Sequence, residues 1–334
     1  MRFSVIYLGL RLLAQLVSAA PYLPTNALAS RSSVVKKAAY TDAANTGFAT
    51  QNGGTTGGAG GAAITVTTVA ELVAALKGDT AAIVVVPGTI TGAENVRIGS
   101  NKTLIGLKGS KLIGIGLFVR QAKNVIIRNI VSEKVLAANG DGIGIQASSN
   151  VWVDHCDLSS DMDHGKDFYD GLMDVNHASE WVTISNTHLH NHYKASLVGH
   201  SDNNGAEDKG HLHVTQHNMY YSNIGSRMPS FRFGTGHIYN SYFENANTGI
   251  DTRDGAQILV QSNVWENVPQ PLGAFYSDIT GYANAFDNDF GIGNNSAPEG
   301  TLTETSMPYK FTLLGSGAVK AAVVGTAGAT LDFA

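Results

Sequence analysis

Short strand-like runs recur along most of this 334-residue chain, and their spacing constrains the fold more than any other feature. From about residue 82 the runs A-I-V-V-V, K-T-L-I-G-L, N-V-I-I-R-N-I, N-V-W-V-D-H, E-W-V-T-I-S-N, H-L-H-V-T-Q-H, H-I-Y-N-S-Y-F and A-Q-I-L-V-Q-S-N follow one another. Successive units close on a polar residue near Asn129, His155, Asn186, Gln216, Asn240 and Ser262, about 22 to 31 residues apart. A unit of that size cannot bury its apolar face alone, so neighbours must stack into a solenoid. Helical patterns are too scarce for leucine-rich or ankyrin repeats. Strand-only turns with Asn and Ser at the corners predict an all-β parallel β-helix. Polar ladders inside such a stack account for many asparagines and histidines without invoking chemistry.

The repeat needs closed ends. T-T-V-A-E-L-V-A-A-L-K carries Thr68 and Glu71 at capping-box spacing and an apolar face of Val69, Leu72, Val73 and Leu76. It predicts a helix covering the N-terminal end of the sheets. The Ala/Val-rich segment around Val319–Val324 is expected to cap the other end. Insertions break the rhythm at 157–173, 193–210 and 225–234, and loops on a rigid scaffold are where function tends to sit. The glycine-rich run at 53–63 lacks the Lys-Ser/Thr of a phosphate loop and reads as a turn segment.

A net charge of −5 with no Lys/Arg-rich run argues against nucleic-acid binding. Residues 1–20 read as a secretory leader: Arg2, an apolar run to Val17 that Arg11 interrupts, and small residues at V-S-A-A. No run reaches the roughly 18 uncharged apolar residues of a membrane anchor. Residues 21–38 read as a pro-segment or loose N-terminus, leaving 39–334 as one domain, expected to be a monomer. The single cysteine, Cys156, permits no internal disulfide and reads as a buried thiol. Asn101 and Asn294 head glycosylation triplets.

Acids concentrate between Asn139 and Lys194: Asp141, Asp154, Asp157, Asp161, Asp163, Asp167, Asp170 and Asp174. G-L-M joins Asp170 to Asp174, and residues four apart in a strand share a face, so both carboxylates are expected to leave by one side. Such a cluster suits either a glycosidase acid–base pair or a calcium site. D-M-D-H-G-K-D lacks the closing Glu of an EF-hand loop. His188, His190 and His192 alternate, but no HExxH or cysteine partner accompanies them, and they read as ladder or core histidines. Lys194, Arg227 and Arg232 stand out in a chain with few cations, with Pro229 setting the turn between the arginines. Their chemistry suits a polycarboxylate.

V-W-V-D-H-C-D-L-S-S-D, Y-D-G-L-M-D, H-Y-K-A-S-L-V-G-H-S-D and R-M-P-S-F-R-F-G-T-G-H-I-Y-N resemble polysaccharide lyase family 1, specifically the fungal secreted pectate lyases. The likeness runs from about Gly47 to the C-terminus. It implies a right-handed parallel β-helix that cleaves polygalacturonate by β-elimination with Ca2+ as cofactor. It implies Asp141, Asp170 and Asp174 as calcium ligands, Arg227 as the base at C5, and Lys194 and Arg232 as residues gripping substrate carboxylates. Asn139 and Asp170 depart from bacterial relatives, which carry a further acid and a Glu there. Arginine ordinarily stays protonated, so the base role requires nearby positive charge and implies activity rising toward alkaline pH. Three alternatives remain: a calcium-independent pectin lyase, which the aspartates oppose; a polygalacturonase, whose G-H-G and R-I-K motifs are absent; and a non-catalytic carbohydrate-binding solenoid.

Overall fold

The computed structural model describes residues 37–333, so the expected leader and nearly all of the expected pro-segment lie outside the described residues. Three parallel sheets run along the molecule. The first has ten strands, from Ala62–Thr65 to Tyr282–Phe286; the second has eight, from Thr89–Thr91 to Val264–Glu266; the third has eight, from Asn95–Ile98 to Gln270–Gly273. From Ala82–Val86 onward, consecutive strands visit the three sheets in turn, so each cycle is one rung of a parallel β-helix, as the repeat predicts.

The stacking logic shows in the registers. Val84, Leu104, Ile127, Val153 and Ile184 pair in succession along the first sheet, and each is fully buried. Parallel pairing in register places like residues above like, so one apolar column fills the bore. Cutting any of these side chains to Ala should cost about 2–5 kcal/mol, because the rungs on either side hold the cavity open.

The corners explain the polar punctuation. Asn129, His155, Asn186, Asn218, Asn240 and Ser262 all have φ between 49° and 57°. Asn adopts the left-handed region at lower cost than most residues, and its amide then bonds the next rung: Asn218 Nδ2 donates to Asn186 Oδ1 at 2.9 Å. Gln216 is not a corner. It lies within the strand His213–His217, buried, accepting a bond from the Tyr221 hydroxyl; the corner falls two residues later. A second such corner stacks Asn223 on Asn191 at 2.8 Å.

The helix Val69–Leu76 forms with both halves of its capping box, and buries Leu72 and Leu76. Val73 instead faces solvent, 41% exposed. The C-terminal segment departs from expectation. The helix Ser316–Val323 packs on Tyr242–Ala246 and Val264–Glu266, along the flank of the second sheet rather than over the end. The tail then returns along the corner ladder, where Gly328 N–H bonds the Asn186 carbonyl at 2.8 Å and Leu331 N–H bonds Asn129 Oδ1 at 2.8 Å. Polar corners make a better docking rail than the closed end offers.

Cys156 is fully buried, and burial pushes its thiol up to about 12, which suits an inert core residue. Asn101 is a ladder residue, accepting from Asn124 at 2.9 Å and donating to the Asp79 carbonyl, whereas Asn294 is exposed. No helix among the described residues is long and apolar enough to cross a membrane.

Candidate active site

The six candidate residues come from four successive rungs; Asp141, Asp170, Asp174, Lys194 and Arg227 are neighbours at the outer face of the third sheet, whereas Arg232 engages a different set of partners. Asp174 projects from Met173–Asn176. Its flanking partners are Gly144 on one side and Leu197 on the other. Asp141 lies just before Ile143–Gln146. Asp170 is not in a strand: it sits in the loop that enters Met173–Asn176, so it reaches the site by loop position, not strand alternation.

Glycines make the room. A Cβ at Gly144 would lie 3.0 Å from Asp141 Oδ2, and one at Gly171 would lie 2.6 Å from Asp174 Oδ1. Backbone donors orient both acids: Gly171 N–H to Asp141 Oδ1 at 3.0 Å, and Leu197 N–H to Asp174 Oδ1 at 3.0 Å. Burial and then the neighbouring Asp170 push the Asp141 carboxyl up to about 7. Burial and then Asp141 hold Asp174 well above the usual range. Two acids that resist ionising beside a third are a donor set in need of a cation. Carboxylate oxygens suit a hard divalent ion, so Asp141, Asp170 and Asp174 fit calcium chemically. They stand further apart than a closed cage. Among the described residues, only Asp157, His188 and His190 bring three ligand atoms within 4.8 Å of one another.

Cations face these acids. Lys194 Nζ lies 3.1 Å from Asp167 Oδ1 and 3.4 Å from Asp170 Oδ1, with the side chain 13% exposed. Arg227 has φ 66°, precedes the cis peptide Met228–Pro229, and its guanidinium makes no ion pair among the described residues. A left-handed arginine is costly, and such strain clusters where a side chain must be aimed. Arg232 is less open than a substrate grip requires. It is 7% exposed, its Nε lies 2.5 Å from Asp202 Oδ1 and its Nη1 donates to the Gly199 carbonyl. Asp202 also accepts from Arg253 Nη2 at 3.0 Å, and Arg253 is the register partner of Arg232.

The sequence reading assigns no site role to His192, Asn191, Asp167 or Asp202, although it counts Asp167 among the clustered acids and His192 among the ladder or core histidines. His192 contacts the Asp170 carbonyl through Nε2 at 2.6 Å and Ser160 Oγ through Nδ1 at 2.7 Å, and burial lowers it to about 4, keeping it neutral. Asn191, at φ 51°, flips the strand so that His192 turns away from His188 and His190. Asp167 is one of the clustered acids and Asp202 lies outside them; only their distances reveal their partners, Lys194 and Arg232.

A parallel β-helix with clustered acids opposed by lysine and arginine on one sheet face defines a class, the β-helical enzymes acting on acidic polysaccharides. A family model described as pectate lyase matches residues 20–330. The chain is 55% identical over 300 residues to a probable pectate lyase A of Aspergillus flavus, covering 89% of this chain and 92% of that one. It is 56% identical over 300 residues to a pectate lyase A of Aspergillus niger, with coverage of 89% and 91%. Among solved structures, it resembles the pectate lyase of Bacillus sp. N165 in complex with trigalacturonate. That match has a TM-score of 0.77 and 29% identity over 85% of this chain and 98% of the other. The chain belongs to the pectate lyase family and is a polysaccharide lyase.

Proposed function

We propose that this protein is a secreted, calcium-dependent lyase that cleaves α-1,4-linked polygalacturonate by β-elimination, leaving 4,5-unsaturated oligogalacturonates. The observation that carries the reading is half-buried Asp141 with buried Asp174, each raised first by burial and then by a neighbouring carboxylate, Asp170 for Asp141 and Asp141 for Asp174, beside Arg227, which has no ion-pair partner among the described residues. A binding site that disfavours its own empty, ionised state is built to be completed by a cation and an anionic ligand.

Calcium held by Asp141, Asp170 and Asp174 would draw charge from a galacturonate carboxylate and so acidify the neighbouring C5–H. Lys194 is held by Asp167 and Asp170 at the edge of the same acids, where its charge stabilises the enolate-like anion that develops. Arg227, aimed by its left-handed backbone and without a carboxylate partner among the described residues, takes the C5 proton; the C5–H electron pair forms the C4=C5 double bond as the C4–O bond breaks, and the departing glycosidic oxygen takes a proton from water. Arg232 binds a substrate carboxylate only as far as Asp202 yields it. Asn139 donates to the Gly114 carbonyl at 3.2 Å, leaving its Oδ1 as a neutral donor where bacterial relatives carry an acid. Calcium affinity is accordingly modest.

The leader at 1–20, the pro-segment at 21–38 and the monomeric catalytic domain at 39–334 belong to this reading. A family match that starts at residue 20 fits a leader ending there. Exposed Asn294 is the better glycosylation acceptor, because the Asn101 amide is spent on the ladder.

Two variants test the division of labour. Asp174→Asn should lose calcium binding by calorimetry together with activity, whereas Arg227→Lys should bind calcium as before and lose at least about 100-fold in kcat. An Arg227→Lys enzyme retaining most of its kcat would remove Arg227 from the base role.

A further inference from the structure

The second sheet carries a cluster that the polysaccharide chemistry does not use. Asp157 and His188 are register partners on adjacent rungs, and Ser159 pairs His190 in the same way. The Asp157 carboxylate bridges both imidazoles: Oδ1 lies 3.0 Å from His190 Nε2, and Oδ2 lies 3.4 Å from His188 Nδ1. The three ligand atoms fall within 4.8 Å of one another, and each side chain is 19–27% exposed, so an ion could reach them.

We propose that Asp157, His188 and His190 form a site for a borderline divalent transition metal, Zn2+ above all. Such an ion would clamp two successive rungs of the helix.

Three features separate this cluster from an ordinary hydrogen-bonded group. First, the outward nitrogen of His188, Nε2, lies 2.9 Å from Ser222 Oγ, a hydroxyl that can accept its N–H and leave Nδ1 free to ligate, as the second nitrogen of a metal-binding histidine is held. His190 Nδ1 instead accepts from Asn191 Nδ2 at 3.0 Å, so ligation through its Nε2 requires the Asn191 amide to turn its oxygen toward the ring. Second, the rings are immobilised. His188 stacks on His190 at 4.1 Å and on Tyr220 at 4.2 Å, so little side-chain entropy remains to be lost on binding. Third, the returning C-terminal tail crosses the cluster; a Cβ at Gly328 would lie 3.2 Å from Asp157 Oδ2. His211 and His213 similarly flank Glu180, at 2.9 and 2.7 Å, but do not bring three ligand atoms within that distance.

Two imidazoles and one carboxylate select zinc-like ions, whereas calcium takes oxygen ligands, so the two sites should load independently. Zn2+ alone, titrated by calorimetry into the EDTA-stripped and dialysed full chain, should bind with one equivalent and raise the melting temperature, with saturating calcium present or absent. Co2+ should give the visible absorption of a low-coordinate nitrogen–oxygen site. His190→Gln should lower Zn2+ affinity at least tenfold and abolish the thermal shift, with the unliganded melting temperature and the lyase activity in calcium unchanged. His211→Gln should leave binding intact. The proposal is overturned if wild type does not bind Zn2+, if calcium displaces it, or if His211→Gln rather than His190→Gln removes it.

Discussion

Replacing Asp141 by Asn should make the calcium-free protein more stable while removing its calcium response. The Asp141 carboxyl is raised from 3.8 to about 7, first by burial and then by the charge of Asp170. A carboxyl whose pKa is raised on folding favours the folded state only while protonated. Its contribution is present below pH 3.8 and is lost as pH climbs toward about 7. At 1.36 kcal/mol per pH unit, ionising it in the folded protein at pH 8 costs on the order of 4 kcal/mol. Asp141 keeps some solvent contact, and screening reduces that figure, so about 1–3 kcal/mol is the expected gain for Asp141→Asn. The Asn Oδ1 can still accept from Gly171 N–H, so no bond is lost. Urea midpoints in EDTA, measured from pH 4 to pH 8, should fall with rising pH in wild type and stay flatter in the variant. Millimolar calcium should restore wild type alone. A variant that is less stable than wild type in EDTA at pH 8 would refute the reasoning, because the carboxylate would then be stabilised by its surroundings rather than held there for a cation.

Three further outcomes follow from the same geometry. Gly171→Ala places a methyl 2.6 Å from Asp174 Oδ1, so calcium affinity should fall at least tenfold with the fold retained; calorimetry and circular dichroism read the two separately. Asp154 is 1% exposed and bonds Arg128 Nε at 3.0 Å, Ser185 and Asn186. Asp154→Ala leaves Arg128 with Asp42 alone and Ser185 and Asn186 without their acceptor, and should cost about 1–3 kcal/mol in the urea midpoint, whatever the calcium level. Asn186→Ala removes side-chain bonds to Asn218 and Asp154 at a left-handed corner and should cost about 1–3 kcal/mol in the urea midpoint, while the Gly328 N–H bond to the backbone carbonyl is kept.

How much of this was legible in the residues depended on how local the cause was. The rungs announced themselves because each stacks on a near copy of itself, so Val125, Val151, Val182 and Val214 pair in register and recur in sequence. The corners were legible for the same reason, since a left-handed turn selects Asn, His and Ser. Gln216 misled because its polarity marked a buried bond to Tyr221, not a turn. Strand alternation misplaced Asp170, which a loop carries. It also sets His192 on the face of His188 and His190, whereas the left-handed Asn191 turns it inward, where it is a buried core histidine as one of the two readings has it. The C-terminal helix was read correctly as a cover but on the wrong surface, because docking on a flank depends on contacts between residues far apart in the chain, such as Leu331 with Asn129. The motif resemblance supplies the roles of Arg227 and Lys194; their geometry shows a guanidinium with no ion pair among the described residues and an ammonium already engaged with acids.

The central claim is elimination that needs a metal, and one assay addresses both halves. Purified protein should be incubated with polygalacturonate at mildly alkaline pH, and the ultraviolet absorbance of the unsaturated product followed with calcium and then with excess EDTA. The account predicts a steady rise in calcium that EDTA abolishes and added calcium restores. A rise indifferent to EDTA would contradict the metal site, and new reducing ends without ultraviolet absorbance would contradict elimination itself.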